Sequence, residues 1–175
     1  MKDKYKPFPI LKTERLVLRQ LTQHDKLAIF TLRSDAQVNK YLYRPQPHHV
    51  DEVIEFINKI NKAIEQNKSF YWAISLKNSD ELIGTICLWN FSDDHQTAEL
   101  GYELMPNFQG QGIMNEAIKA VLQYAFEIIE LKIIVACPHK DNKNSIKLLE
   151  KNGFKWENDK IDEDNLNNLI YSCYV

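Results

Sequence analysis

Apolar and polar positions along the chain repeat with two periods, and the changes of period mark the elements. From Asp51 to Gln66, Val53, Ile57, Ile60 and Ile64 recur at helical spacing, as on one stripe of an amphipathic helix. Met114, Ile118, Val121 and Ala125 form a second such row inside 113–129. Between 98 and 104 the period is two. Ala98, Leu100, Tyr102 and Leu104 alternate with Glu99, Gly101 and Glu103, as in a strand with one face on a core. Residues 14–19, 70–76, 81–89, 154–156 and 169–175 read as further strands, with a polar turn at 78–80 closing a hairpin and another at 90–96. Thr22, followed by Asp25, starts a helix that runs through Leu32, and Pro45 and Pro47 mark a loop. The apolar run 132–137 predicts a central strand buried on both faces. A helix over 144–152 ends at Gly153, and the polar run 157–168 predicts a solvated loop. Gly101, inside its strand, predicts a bulge or a close approach by another backbone.

The order is β α α β β β α β α β β. The strand–helix–strand unit from Ala98 to Cys137 should be a right-handed parallel crossover, so the fold class is α/β with a mixed sheet and helices on its faces.

With 175 residues, the chain is expected to form a single domain over 1–175. Hydrophobic residues at 44% and charged residues at 26% fit an ordinary globular protein and argue against disorder. No apolar run approaches the ~20 residues of a membrane helix, so no membrane partner is expected. The start, MKDKYKPFPI, lacks the apolar segment of a secretory signal. A net charge of -2 argues against binding nucleic acid through its phosphates. Cys87, Cys137 and Cys173 lie in apolar stretches with no metal spacing and are expected as buried small hydrophobes. Their odd number and the missing signal fit a reducing cytoplasm. His24, His48, His49, His95 and His139 are scattered, so no metal site is expected.

The segment Pro106–Met114, PNFQGQGIM, lies between a strand and a helix. Its glycines let successive N–H groups turn into one concavity at a helix N-terminus, which suits a phosphate or pyrophosphate. A dinucleotide fingerprint needs glycine where Asn115 stands, and a P-loop needs lysine where Ile113 stands, so both readings fail.

Three stretches, TERLVLRQLTQHD, AELGYELMPNFQGQGIMNEA and DNKNSIKLLEKNGF, follow one another in this order. They resemble the GNAT superfamily of acetyl-CoA-dependent N-acetyltransferases, and within it the branch of ribosomal-protein alanine and serine N-acetyltransferases. The resemblance implies a mostly antiparallel twisted sheet with a central splayed parallel pair, and acetyl-CoA as co-substrate. It implies that the backbone of Gln109, Gly110, Gln111, Gly112, Ile113 and Met114 holds the pyrophosphate. The pantetheine arm would lie in the gap between the glycine-loop strand and 132–137, paired with the backbone near Leu104 and Met105 and bonded by Asn144. Two positions depart from the family. Asn107 stands where a glutamine or arginine often opens the loop. Leu149 stands where many members carry a tyrosine that protonates the leaving thiolate, which excludes a tyrosine acid there.

An amine must be neutral to attack a thioester. An α-amine, with a pKa of about 7.7–8.0, needs mild help, and a lysine amine near 10.4 needs more. Glu99, off the apolar row and matched by a glutamate in the related ribosomal enzymes, is the first candidate base, and Glu103, of the same parity, is second. Ser145 is the candidate to stabilise or protonate the thiolate; its plain alternative is a helix-start hydroxyl. Tyr41, Tyr43, Trp72 and Trp89 are candidates to line an acceptor cleft, with core or rim packing as the alternative. The acidic loops of Asp93, Asp94, Glu157, Asp159, Asp162, Glu163 and Asp164 would attract a basic substrate or simply be solvated.

The function expected is acetyl transfer from acetyl-CoA to a primary amine by direct attack in a ternary complex. The leading acceptor is a protein N-terminal α-amine, a ribosomal protein included. The alternatives are a small amine (polyamine, aminoglycoside or amino-acid-like compound) and a non-catalytic acyl-CoA-binding module. The last strand, as a sheet edge, leaves a homodimer open.

Overall fold

The structure is a computed structural model that describes residues 6–175, so the first half of the charged start lies outside the described residues. The strands are β1 (Leu11–Lys12), β2 (Leu16–Gln20), β3 (Phe70–Leu76), β4 (Leu82–Trp89), β5 (Thr97–Leu104), β6 (Ile133–Ala136), β7 (Lys155–Trp156) and β8 (Tyr171–Tyr174). The helices are α1 (Lys26–Ser34), α2 (Ala36–Asn39), α3 (Val50–Glu65), α4 (Ile113–Tyr124) and α5 (Lys143–Lys151). Among the described residues the strands form one eight-stranded sheet, ordered β1-β2-β3-β4-β5-β6-β8-β7. Its neighbours are antiparallel except β5 and β6, which run parallel.

Both faces of this sheet are covered. The period-two row of β5 turns Ala98, Leu100 and Leu104 into a core with Ile113, Ala117, Ile118 and Val121 of α4. On the opposite face, Ile29 and Leu32 of α1 and Val53 and Ile57 of α3 pack on Tyr71, Ala73 and Leu82. Arg19 of β2 clamps the start of α1 through two bonds to the buried Asp25 carboxylate (2.9 and 2.8 Å), which also accepts from the Thr22 N–H (2.8 Å). Gly153, at φ 86°, follows the end of α5 in the left-handed region that suits glycine.

Several expectations need correction. Two short elements, β1 and α2, carry no sequence period: β1 has two residues, and α2 rests on Asp35, whose side chain caps Gln37 N–H and Val38 N–H. No bulge occurs at Gly101; the β4–β5 register is regular from Gly84 to Trp89, and the irregularity lies at Ile74/Ser75. What crowds Gly101 is a side chain, since a Cβ there would lie 3.1 Å from Cys87 Sγ. The close backbone approach falls at Gly84, where a Cβ would meet Glu103 O at 2.5 Å. The strand at 133–136 is not buried on both faces, because Ile134 and Ala136 are buried while Ile133 and Val135 are half-buried. Nor is the last strand an edge: β8 pairs with β6 on one side and β7 on the other. Cys173 is buried, but Cys87 and Cys137 are only partly so. Trp72 belongs to the core, fully buried against Phe70, with its indole N–H on Pro9 O (2.9 Å).

Candidate active site

The parallel ladder between β5 and β6 is short. It pairs Thr97–Glu99 with Ile133–Val135 and stops, while β5 continues to Leu104. The sheet therefore opens beyond Glu99. Met105 N–H donates to Ile83 O (2.9 Å). In an antiparallel ladder this turns the backbone groups of residues 105, 103 and 101 toward β4, and those of Tyr102 and Leu104 into the opening. Leu104 O already accepts from Gln109 Nε2 (2.9 Å). The groups left to pair with an extended ligand in the opening are Leu104 N–H and the Tyr102 N–H and C=O.

At the outer end of β5 the glycine loop turns into α4. Gly110 and Gly112 have φ of 74° and 76°, a region costly for other residues, and Gly112 caps α4. Residues 109–112 are exposed, and the N–H groups of Gly110, Gln111 and Gly112 donate to no protein group among the described residues. The first helical bond is Glu116 N–H to Gly112 O (3.1 Å), so earlier N–H groups of the turn have no intrahelical acceptor. Those N–H groups and the helix dipole form a cradle that fits a pyrophosphate. Ile113 and Met114, next in the turn, are buried and anchor it, and Asn107 is exposed. Arg15, unremarked in the sequence as a site residue, braces this loop. Its Nη1 donates to Gln111 O (3.0 Å) and its Nε to Glu116 (2.6 Å). Burial would raise the Glu116 carboxyl, but Thr13 and Arg15 hold it below the usual carboxylate range.

The opening is bridged by two hydroxyls. Tyr102 OH and Ser145 Oγ lie 2.7 Å apart. Ser145 does not begin α5; Asn142 caps that helix by accepting from Ser145 N–H (3.2 Å), which leaves the serine hydroxyl free to face β5. Burial pushes the Tyr102 phenol up to about 12, against the opposing effect of the Ser145 bond. The alternation that marked Tyr102 as core concealed this role, because its ring is apolar and its hydroxyl is not. Asn144, by contrast, is exposed, and Leu149 is buried in the core.

On the other face of β5, Glu99 is half-buried beside Trp89, with Asn90 Nδ2 3.4 Å from its carboxylate. Burial raises its pKa, and the charges of Asp162 and Asp164 raise it further. These aspartates arrive because Leu169 N–H bonds Pro138 O and Lys140 N–H bonds Asn167 O (2.9 and 2.8 Å), lashing the acidic loop to the end of β6. Glu103 is held by Arg44 through both carboxylate oxygens (2.5 and 2.6 Å), so it is a paired anion rather than an open base. Burial lifts the thiols of Cys87 and Cys137 to about 12, so neither supplies a thiolate nucleophile at neutral pH. Tyr41 lies tilted against His139 (centroids 5.4 Å), and Tyr43 and Trp89 are exposed.

A strand that leaves its parallel neighbour, followed by a glycine loop at a helix start, invites comparison with known proteins. Residues 15–155 match the model of the Acetyltransferase (GNAT) domain. The chain belongs to the GNAT acetyltransferase family. Among similar proteins is the uncharacterized N-acetyltransferase YoaA of Bacillus subtilis, 35% identical over 150 residues, which span 86% of this chain and 85% of YoaA. Spermidine N(1)-acetyltransferase of Escherichia coli is 24% identical over 160 residues, 89% of this chain and 83% of that enzyme. Among solved structures, the RimL ribosomal L7/L12 alpha-N-protein acetyltransferase in complex with Coenzyme A shares the fold. Its TM-score is 0.82 at 21% identity, over 95% of this chain and 98% of RimL. This GNAT protein is thus an acyltransferase, with acetyl-CoA as its acyl donor.

Proposed function

We propose that this GNAT enzyme acetylates a protein N-terminal α-amine by direct attack in a ternary complex. The observation that carries the reading is the bridge of Tyr102 and Ser145 across the opening beyond Glu99 and Val135. Acetyl-CoA supplies an activated acyl carbon and a thiolate leaving group. The exposed N–H groups of Gly110, Gln111 and Gly112, with those of Ile113 and Met114 at the start of α4, bind its pyrophosphate. Gln109 N–H is taken by Pro106 O (3.1 Å), and Gln109 serves only through its place in the loop. Leu104 N–H with the Tyr102 backbone holds the arm, and Asn144, at the mouth, reaches its polar groups. Met105 contributes by fixing the end of β5, since its own N–H is used by Ile83.

Glu99 serves as the base. An α-amine is already partly neutral near pH 7.5, so a carboxylate with a raised pKa, acting directly or through water, is sufficient. The hydroxyl pair acts at the leaving sulfur. A phenol near 12 cannot pass its proton fully to a thiolate of pKa about 8.5, a transfer uphill by roughly 5 kcal/mol. Ser145 and Tyr102 therefore stabilise the thiolate by hydrogen bonds, and solvent completes the protonation. Two related enzymes that bear ribosomal-protein names support the α-amine as acceptor.

A polyamine acceptor is the second reading, favoured by the carboxylates Glu99, Asp162 and Asp164 at one end of the cleft and by the spermidine enzyme among the relatives. Thiol release, measured with peptides beginning Ser, Ala or Met alongside spermidine and an aminoglycoside, decides between them. Higher kcat/KM on spermidine than on every peptide overturns the α-amine reading.

A further inference from the structure

Charge separates along the outward row of β5. At one end Glu99 meets Asp162 and Asp164. Four residues on, roughly 13 Å along the strand, Glu103 is paired with Arg44, whose Nε also donates to Asn39 Oδ1 (2.9 Å). A second guanidinium stands behind this pair. Arg33, at the end of α1, lies 4.1 Å over the Phe56 ring and is half-buried. Among the described residues its guanidinium makes no ion pair and no hydrogen bond. Asp35, close in sequence, is turned to the N–H groups of α2. Two arginines thus face one glutamate.

A guanidinium withdrawn from water without an anion costs free energy, and the ring face recovers only part of it. Burial and the neighbouring Arg44 lower the Arg33 pKa, and the attraction of Glu103, already paired with Arg44, offsets them only in part. Its planar fork of donors matches a carboxylate or a phosphate. The cleft therefore has an acidic end suited to an amine and a cationic end suited to an anion.

We infer that Arg33, beside the Arg44–Glu103 pair, binds an anionic group of the acyl acceptor, a carboxylate or a phosphate carried about four residues from the amine in an extended peptide. This rests on the reading that the Glu99 end receives the amine. It also separates the acceptor from a plain polyamine, which would place positive charge against Arg33.

The test is calorimetric titration of the enzyme loaded with coenzyme A. The ligands are matched peptides with Asp, Asn or phosphoserine at position 2, 3, 4 or 5, and spermidine. At one position the Asp or phosphoserine peptide should bind roughly tenfold or more tightly than the Asn peptide, as expected for a charged hydrogen-bonded contact. The better of the two anions names the group. Arg33→Gln should erase the difference and Arg33→Lys should keep part of it. In thiol release KM should rise in Arg33→Gln, with kcat within about twofold. A normal rise in Tm on adding acetyl-CoA shows that each variant is folded. Equal binding of Asp and Asn peptides at all four positions, an unchanged preference in Arg33→Gln, or tightest binding by spermidine overturns the inference. A charge preference in binding without thiol release supports the anion site and rejects the α-amine reading alone.

Discussion

The hydroxyl of Tyr102 on β5 lies 2.7 Å from that of Ser145 on α5, across the opening where the parallel ladder has already stopped. Forty-three residues separate them in sequence. They meet because β5 and α5 flank one opening, and because Asn142, not Ser145, takes the cap of α5.

Ser145→Ala should slow turnover about 10- to 150-fold and leave acetyl-CoA affinity within a few-fold, the loss of a hydrogen bond to a charged sulfur. Tyr102→Phe should act in the same direction. As both hydroxyls serve one atom, the double variant should lose less than the product of the two single losses. Single-turnover thiol release with calorimetric Kd values checks this. Wild-type turnover in Ser145→Ala would remove the serine from the leaving-group site and leave solvent to protonate the thiolate.

Glu99 has a raised pKa, and a base works only when deprotonated. The acid limb of kcat/KM should therefore lie above the ordinary glutamate range. Asp162→Asn and Asp164→Asn each remove a like charge, so each should move that limb to lower pH. Glu99→Gln should remove the carboxylate's share, leave only the fall due to protonation of the amine itself, and cost about 10²–10⁴-fold. A pH–rate profile with a limb that ignores both aspartates would show that Glu99 is not the base.

Gly112 sits at φ 76° with Arg15 Nη2 3.5 Å from the place a Cβ would take. Gly112→Asp adds backbone strain and a negative charge to an anion cradle. The rise in Tm that acetyl-CoA gives the wild type should vanish in this variant. Differential scanning fluorimetry with and without acetyl-CoA reads the shift.

The Asp25 carboxyl would be raised by burial, but its bonds to Arg19 and Thr22 outweigh this and hold it below its usual value. A lowered folded pKa means stability that is present above the unfolded pKa, about 3.9, and lost as pH falls through the folded value. Asp25→Ala should cost about 3 kcal/mol at pH 7 by stranding Arg19, and progressively less below pH 4. Urea unfolding at pH 7 and pH 3 measures the difference.

Much of this was legible along the chain. The period of two in 98–104 put Glu99 and Glu103 opposite the apolar row, and the pair Gly110 and Gly112 before a helical row marked the tight turn into α4, because both depend on residues a few positions apart. The resemblance of three stretches supplied the family. Sequence periodicity could not find β1 or α2, which are too short to show a period, and it misread β6, whose apolar run turns one side to a half-open face. It also took Tyr102 for core, since a ring on an apolar row says nothing of where its hydroxyl ends. The tertiary structure alone decided which distant groups meet. Arg44 closes on Glu103 from 59 positions away, Asp162 and Asp164 are lashed beside Glu99, and Arg33 is laid over Phe56 with no ion pair among the described residues. Local patterns record which face of an element each side chain takes. Register, chain reversal and the parting of β5 from β6 set which faces come together, and those depend on the whole packed sheet.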